Sequence, residues 1–291
     1  MANDTTPSAY LDLGLEDTHV LVTGGTGLIG RAVVNAFLYA GANVSVLDIN
    51  APTATDEDDD EQSQRLVLHA DVSSEESIED AWAKATARFG PVACCVALAS
   101  LDLSVLPHVT SAADMGFEQF MKTLEVNVGG SFLTARAWLR GLREAKERDG
   151  ALEGRMRNVG FIIVGSESGR FGERGNPDYA ASKSAVQGGL LQSLKADVVK
   201  LWKGARVNAV APGPVDTARF QQECKDDPEE YWRSAQATTA LGKPVPVTAV
   251  ARTILYLASE SWSGSVHGQV INVDGGKQGK VIWTKEEASN Q

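Results

Sequence analysis

The chain has 291 residues, of which 43% are hydrophobic, enough for one large core, yet no apolar run reaches the ~18 residues of a membrane span. Its 27 basic and 38 acidic residues leave a net charge of −11, which disfavours a phosphate-backbone partner, so neither nucleic acid nor membrane is expected as a partner. The three cysteines, Cys94 and Cys95 side by side and Cys224 far away, form no disulfide framework, and the start M-A-N-D-T-T-P lacks the parts of a secretory signal. A reducing, cytoplasmic compartment is the expectation.

After a polar tail over residues 1–16, the run His19 to Val22 predicts a strand that leads into T-G-G-T-G-L-I-G, Thr23 to Gly30. Ala32, Val33, Ala36, Phe37 and Ala40 then follow a 3.6-residue period, and Gly41 closes the helix. Glycines at 24, 27 and 30 permit a tight turn, let the backbone approach a pyrophosphate and aim a helix N-terminus at an anion. A second strand, Asn43 to Leu47, ends at Asp48, where a carboxylate would meet the adenosine ribose hydroxyls of a dinucleotide. The acidic run Asp56 to Glu61 reads as a solvated loop, since nothing spaces its carboxylates as metal ligands. No metal site is expected.

A third strand, Leu66 to Ala70, delivers Asp71 and Val72, and Ser73-x-x-Glu76 predicts a capping box for a helix running to Phe89. The fourth strand, Val92 to Leu98, is apolar throughout, as in a parallel sheet buried on both faces. Alternation of strand and helix indicates right-handed βαβ units, hence an α/β, Rossmann-type doubly wound sheet in one domain over residues 17–276, with a C-terminal tail over 277–291. His108, between Ser100 and Phe120, is a candidate substrate contact, and Asn127 is an amide in a helix interior, unfavourable unless it bonds something.

The stretch Phe161 to Ser166 then reads as a strand and its end, followed after a glycine-containing turn by a helix that begins near Y-A-A-S-K, Tyr179 to Lys183. Tyr179 and Lys183 are i,i+4 neighbours on one helical face, where an ammonium favours the phenolate and brings the hydroxyl toward a pKa useful for acid/base work. Ser166, at the end of the preceding strand, is placed to donate to the same substrate oxygen. Beyond come V-N-A-V-A-P-G-P-V-D-T with Thr217 as a helix cap, a charged region to residue 246 suited to cover a site, an amphipathic helix from Val247 to Leu257, and a strand from Val270 to Val273.

Together these residues resemble the short-chain dehydrogenases/reductases, in their single-domain branch, over roughly Asp17 to Gly276. The most specific parts are Ser166 with Tyr179 and Lys183, then V-N-A-V-A-P-G with Thr217, and G-Q-V-I-N-V-D-G-G at Gly268 to Gly276. The resemblance implies a sheet of about seven parallel strands and an NAD(H)-dependent oxidoreductase that interconverts a secondary alcohol and a ketone on a small or medium organic molecule. Tyr179 would transfer the proton, Lys183 would depress its pKa and bond the nicotinamide ribose, Ser166 would hold the substrate oxygen, and Asn127 would anchor a water in the proton relay. Cofactor contacts would come from Gly24, Thr26, Gly27, Leu28 and Ile29 in the loop, Asp48 and Ile49 at the ribose, Asp71 and Val72 at the adenine, Ala97, and Pro212, Gly213, Val215 and Thr217 toward the carboxamide.

Two places depart from the family pattern. Leu28 stands where the middle glycine of T-G-x-x-x-G-x-G belongs, and Ala97-Leu98-Ala99-Ser100 replaces N-N-A-G, removing amides that would steady the central strand. They keep a rival open, a cofactor-bound cyclase, isomerase or dehydratase, or a binding module. Finally, Ala135, Trp138, Leu139 and Leu142 on one long helix and Val186, Leu190, Leu194 and Val198 on the next offer more apolar surface than one sheet face needs, which with the family habit predicts a homo-oligomer, a tetramer or dimer.

Overall fold

A computed structural model describes residues 11–52, 63–283 and 288–289, so the run Asp56 to Glu61 lies outside the described residues. Nine strands occur among them: β1 His19–Thr23, β2 Asn43–Asp48, β3 Arg65–His69, β4 Cys94–Ala97, β5 Gly160–Val164, β6 Arg206–Pro212, β7 Val215–Asp216, β8 Val245–Pro246 and β9 Val270–Val273. The helices are α1 Leu28–Tyr39, α2 Glu75–Phe89, α3 Phe117–Leu124, α4 Gly130–Arg148, α5 Leu152–Arg155, α6 Ser168–Phe171, α7 Pro177–Ala185, α8 Leu191–Leu201, α9 Ala218–Asp226, α10 Val247–Ala258 and α11 Glu260–Ser263. Seven strands form one parallel sheet in the order β3-β2-β1-β4-β5-β6-β9, and β7 pairs with β8 beside it.

Strict alternation along the strands divides the core in two. Leu21, Cys95, Phe161 and Ile163 pack with Trp82 of α2, Trp138 and Leu142 of α4 and Leu191 of α8. Val20, Val22, Cys94 and Ile162 pack on the other face with Val33 and Phe37 of α1 and with Val250 and Ile254 of α10. An apolar residue at every position of β4 is thus the requirement of a strand covered twice. β3 begins and ends one residue earlier than its hydrophobicity suggests, and β4 is trimmed at both ends of its apolar run. The eight apolar residues credited with a subunit interface are used inside this chain. Ala135, Trp138, Leu142, Val186, Leu194 and Val198 are buried, and Leu139 and Leu190 pack against the same core.

Polar groups lock the edge at which the strands begin. His19 bonds the Gly90 carbonyl through Nδ1 at 2.8 Å and Ser45 Oγ through Nε2 at 2.9 Å. Arg206, opening β6, donates to Leu257 O, Ser263 O and Ser263 Oγ from one amino group and to Ala258 O from the other. Asn158 donates to Gly14 O and Thr18 Oγ1 and accepts from Glu260 N. The end of the expected N-terminal tail is therefore part of the fold: Leu15 is buried, and Leu13 O accepts from Ser259 Oγ at 2.6 Å.

Two long helical runs each contain one widened turn. Glu125–Gly129 joins α3 to α4, and Val186–Leu190 joins α7 to α8, each as a single π-helical segment. They hold Asn127 and Gln187 against the ends of β4 and β5.

Candidate active site

Chain reversal between β1 and β4 opens a crevice beyond the strand ends, the place where open α/β sheets bind ligands. A cavity of about 1300 Å³ lies there, lined from the glycine loop through Asp48, Leu98, Ser166 and Tyr179 to Pro212, Thr217 and Lys280. No helix among the described residues is long and apolar enough to cross a membrane, and no group of three or more His, Cys, Asp or Glu side chains among them could hold a metal ion.

At one end of the crevice, Gly24 has φ +71°, and an added Cβ would meet Ala99 Cα at 2.7 Å. Gly30 packs directly on the backbone of Gly24 and Gly25, where a Cβ would overlap Gly24 O. Gly27 differs, because a Cβ there would make only an ordinary contact with Gly24 O at 3.4 Å. It is the N-cap of α1 and supplies no side-chain cap, which leaves first-turn N–H groups available to an anion beside Leu28 and Ile29, both on the cavity wall. Leu28 at the variant position is simply the first helical residue, half exposed to the cavity. This end fits a nucleotide diphosphate.

Asp48 is buried, and both its oxygens already accept backbone N–H groups, from Thr26 at 3.0 Å and Asn50 at 2.9 Å. Thr26 is absent from the wall; its N–H serves to fix Asp48 instead. Asp71, on the wall with Val72, accepts both N–H and Oγ–H of Ser73, the latter at 2.6 Å. That engagement explains why the expected cap at Ser73 is displaced: Ser74 caps α2, accepting from Ser77 N. The Ser73 hydroxyl hydrogen bond also holds the Asp71 carboxyl below its usual range.

The A-L-A-S segment is steadied by other means. Thr23 Oγ1 accepts the N–H groups of Leu98 and Ala99 at 3.1 and 3.2 Å, and Asn127 grips Leu101 through both N–H and C=O at 2.7 and 3.0 Å. Asn127 Nδ2 also donates to Ser182 Oγ on α7. Neither Ala97 nor Asn127 reaches the cavity. Ala97 is enclosed within β4, and the wall is formed by Leu98, Ala99 and Ser100, while Asn127 is buried behind the wall it holds. Its own carbonyl accepts from Ser131 Oγ at 2.7 Å.

β5 ends at the centre of the crevice and delivers Ser166, whose N–H donates to Gln187 Oε1 at 2.9 Å and whose Oγ accepts from Ser168 N at 3.1 Å. Gly165 and Gly169 let Gln187 come this close, since a Cβ on either would overlap its amide. Tyr179 and Lys183 rise from α7, both buried, and they line the same wall as Ser166. Lys183 Nζ donates to Val164 O at 3.0 Å and stands 5.6 Å from the Tyr179 ring centroid.

Electrostatics here differ from the sequence expectation. Burial raises the Tyr179 pKa, the Ser166 hydrogen bond opposes that, and the charges of Asp102, Glu173 and Glu167 raise it further. Burial also pulls Lys183 down to about 8. In the protein alone Tyr179 is thus held as the neutral phenol, because desolvation of its anion outweighs the neighbouring ammonium.

Pro212, Gly213, Val215 and Thr217 all line the far wall, and Thr217 Oγ1 caps α9 by accepting from Phe220 N at 3.1 Å. His108 lines the cavity as well. Sequence reasoning missed the polar group beside Ser166. Glu167 is buried, and it meets Lys277 Nζ at 3.2 Å and Lys280 Nζ at 2.9 Å through Oε1. Both lysines come from the expected C-terminal tail, of which Lys277, Lys280, Val281 and Ile282 in fact line the cavity. A carboxylate set directly between two serines at a strand end was the available signal.

The family model described as Enoyl-(Acyl carrier protein) reductase matches residues 26–278. The acetoacetyl-CoA reductase of Synechocystis sp. is 32% identical over 266 residues, spanning 91% of this chain and 98% of that protein. A 2,5-dichloro-2,5-cyclohexadiene-1,4-diol dehydrogenase of Sphingobium indicum is 28% identical, with 88% and 95% covered. Among solved structures, the crystal structure of gox2181 superposes with a TM-score of 0.75 at 28% identity, covering 91% of this chain and 98% of that one. Fold, crevice chemistry and relatives agree, and the chain belongs to the short-chain dehydrogenase/reductase family, whose members matched here are oxidoreductases acting on alcohols and ketones.

Proposed function

We propose that the protein is an NAD(H)-dependent oxidoreductase that interconverts a secondary alcohol and a ketone, with Tyr179 as general acid and base. The observation that carries this reading is the buried Tyr179, with the Lys183 ammonium 5.6 Å from its ring centroid and Ser166 on the same wall, in one cavity with an uncapped helix N-terminus. A bound nicotinamide supplies the hydride acceptor or donor. The chain's own residues handle the proton and the oxygen: Ser166 holds the substrate oxygen, and Tyr179 gives a proton to it in reduction and takes one from it in oxidation. Asn127 acts from behind, fixing the 98–101 wall and α7 against each other.

NAD(H) is the proposed cofactor because the ribose end is lined by Asp48, Ile49 and Asn50, with no Lys or Arg beside them on the wall among the described residues to receive a 2′-phosphate. A unit-charge repulsion from Asp48 near ~4 Å is worth about 1 to 4 kcal/mol. Tighter binding of NADP(H) than of NAD(H) in a titration would overturn that choice. We also read the protein as a cytoplasmic homo-oligomer whose subunits pair through α4 and α8, supported by the exposed Phe132 and Val199 on those helices.

The decisive measurement is Tyr179→Phe. Turnover followed by nicotinamide absorbance should fall by ~10² to 10⁴ while cofactor affinity and melting temperature are kept. Product formation without any absorbance change, indifferent to Tyr179→Phe, would instead favour the redox-neutral reading.

A further inference from the structure

Tyr179 and Lys183 both line the cavity, whereas the residues just before them on α7, Asp178 and Ser182, do not. One residue is about 100° of helix rotation, so Asp178 and Ser182 form a second face beside the reactive one. That face meets the helical run made of α3 and the widened turn after it, where Asp178, Ser182 and Thr123 are each 0% exposed. Two polar contacts cross the seam. Thr123 Oγ1 donates to Asp178 Oδ2 at 2.7 Å, and Asn127 Nδ2 donates to Ser182 Oγ at 3.0 Å. The two pairs are four residues apart on both sides of the seam, so they stand as rungs one turn apart.

The rung at Asp178 costs stability that an apolar pair would not. Its carboxyl group is buried against a hydroxyl and an amide, with no cation in contact among the described residues, and Oδ1 has no hydrogen-bond partner. The first turn of α7, where Asp178 stands, favours negative charge and offsets part of that cost. What the pair adds is direction. Apolar packing lets one helix roll or slide on another, whereas a hydrogen bond between two fully buried side chains holds over a narrow range of distance and angle. One rung alone leaves α7 free to pivot about it; two rungs fix its rotation and its position along the seam. Gln119 extends the arrangement, donating from Nε2 to Pro107 O at 3.0 Å and to Asp178 Oδ2 at 3.4 Å. The segment that carries His108 onto the cavity wall is thereby tied to the same carboxyl group.

We infer that Thr123 and Asp178 are positioning residues for the reaction: their hydrogen bond, acting with the Asn127–Ser182 contact, sets the rotation of α7 and so aims the Tyr179 hydroxyl at the oxygen held by Ser166. This rests on the alcohol–ketone reading, with Tyr179 as the proton-transfer group. Neither Thr123 nor Asp178 lines the cavity. Aim matters, because a misplacement of ~1 Å can lower turnover by ~10²-fold.

The test uses the full chain with NAD and either cyclohexanol or butan-2-ol, and with NADH and the matching ketones. Turnover is read by nicotinamide absorbance and referred to the concentration of cofactor-binding sites, so that unfolded protein does not count. Thr123→Val removes the donor at nearly constant shape, and kcat should fall by ~10- to 10²-fold while KM and cofactor affinity are kept. Thr123→Ser returns the hydroxyl and should recover most of kcat. Asp178→Ala should lower kcat as well, and combined with Thr123→Val it should add little, because both remove one contact. Arg206→Met, which destabilises the opposite edge of the sheet, should keep the kcat of its folded fraction and so separates positioning from stability. Should Asp178→Ala fail to fold, Thr123→Val and Thr123→Ser still decide. Full kcat in Thr123→Val, an equal loss in Thr123→Ser, or a loss expressed through KM alone overturns the inference. A second readout needs no turnover. Phenolate ultraviolet absorbance, taken as the difference from Tyr179→Phe, should begin at lower pH in Thr123→Val than in the wild type, as water reaches a phenol that burial holds above its ordinary range. Absence of nicotinamide redox change on every probe counts against the alcohol–ketone reading alone. The phenolate onset then decides the positioning: an earlier onset supports it, and an unchanged one overturns it.

Discussion

Buried polar groups are handled differently at the two edges of the sheet. Where the strands begin, His19 has a partner on each ring nitrogen, and Asn158 uses both its amide N–H and C=O groups. Arg206 makes four hydrogen bonds, with only Nε left over. Where the strands end, Glu167 keeps a bare oxygen and α1 starts without a side-chain cap. Similar burial therefore serves opposite ends. Groups that protein atoms satisfy hold elements together, whereas the first-turn N–H groups of α1 stand beside the cavity without a side-chain partner.

The contrast can be broken first at Arg206. Arg206→Met strips donors from the carbonyls of Leu257, Ala258 and Ser263, and unfolding in urea should show a loss on the order of 4 kcal/mol. Cofactor affinity of the folded fraction should not change; if it fell in parallel, the two edges would not be separable.

Acid probes the same edge. Burial holds His19 down to about 4 from an ordinary value of 6.5, so the unfolded chain binds the proton more readily in between. Its contribution is complete above about pH 6.5 and is lost as pH falls toward 4, amounting to about 3 kcal/mol by linkage. A stability profile flat between those limits would mean that His19 is not buried as the neutral ring.

The smallest effect on stability belongs to the ligand edge. Gly27→Ala meets only an ordinary contact and should cost under ~1 kcal/mol of stability, yet it narrows the approach to the α1 N-terminus and should weaken nucleotide binding in a titration. Unchanged nucleotide affinity would remove that terminus from the proposed site.

Much of this was legible in the residues. The strand, glycine turn and helix from His19 to Tyr39, and the pair Tyr179 and Lys183, follow from local periodicity, which α1 and α7 obey. Less legible was whatever depends on three-dimensional neighbours. Asn127 looked like a group at the reacting centre, but its amide is consumed by Leu101 and Ser182, a partnership set by the π-helical segment that turns it. Tyr179 was expected to be acidified by Lys183, a judgement of spacing alone that omits desolvation, the larger effect once both are buried. Lys277 and Lys280 sit a hundred residues from Glu167, and nothing local in a polar C-terminal stretch announces such a contact.

Cys94 and Cys95, adjacent in β4, belong to opposite layers of the core, Cys95 with α2 and α4 and Cys94 with α1 and α10. Burial raises both thiols, Cys94 to about 12, so neither presents a thiolate while its layer is closed. The pair consequently acts as two clocks on one peptide. Alkylation of each sulfur times the opening of its own side of the sheet, and mass analysis of that single peptide distinguishes a molecule that opens as one unit from one that peels a layer at a time.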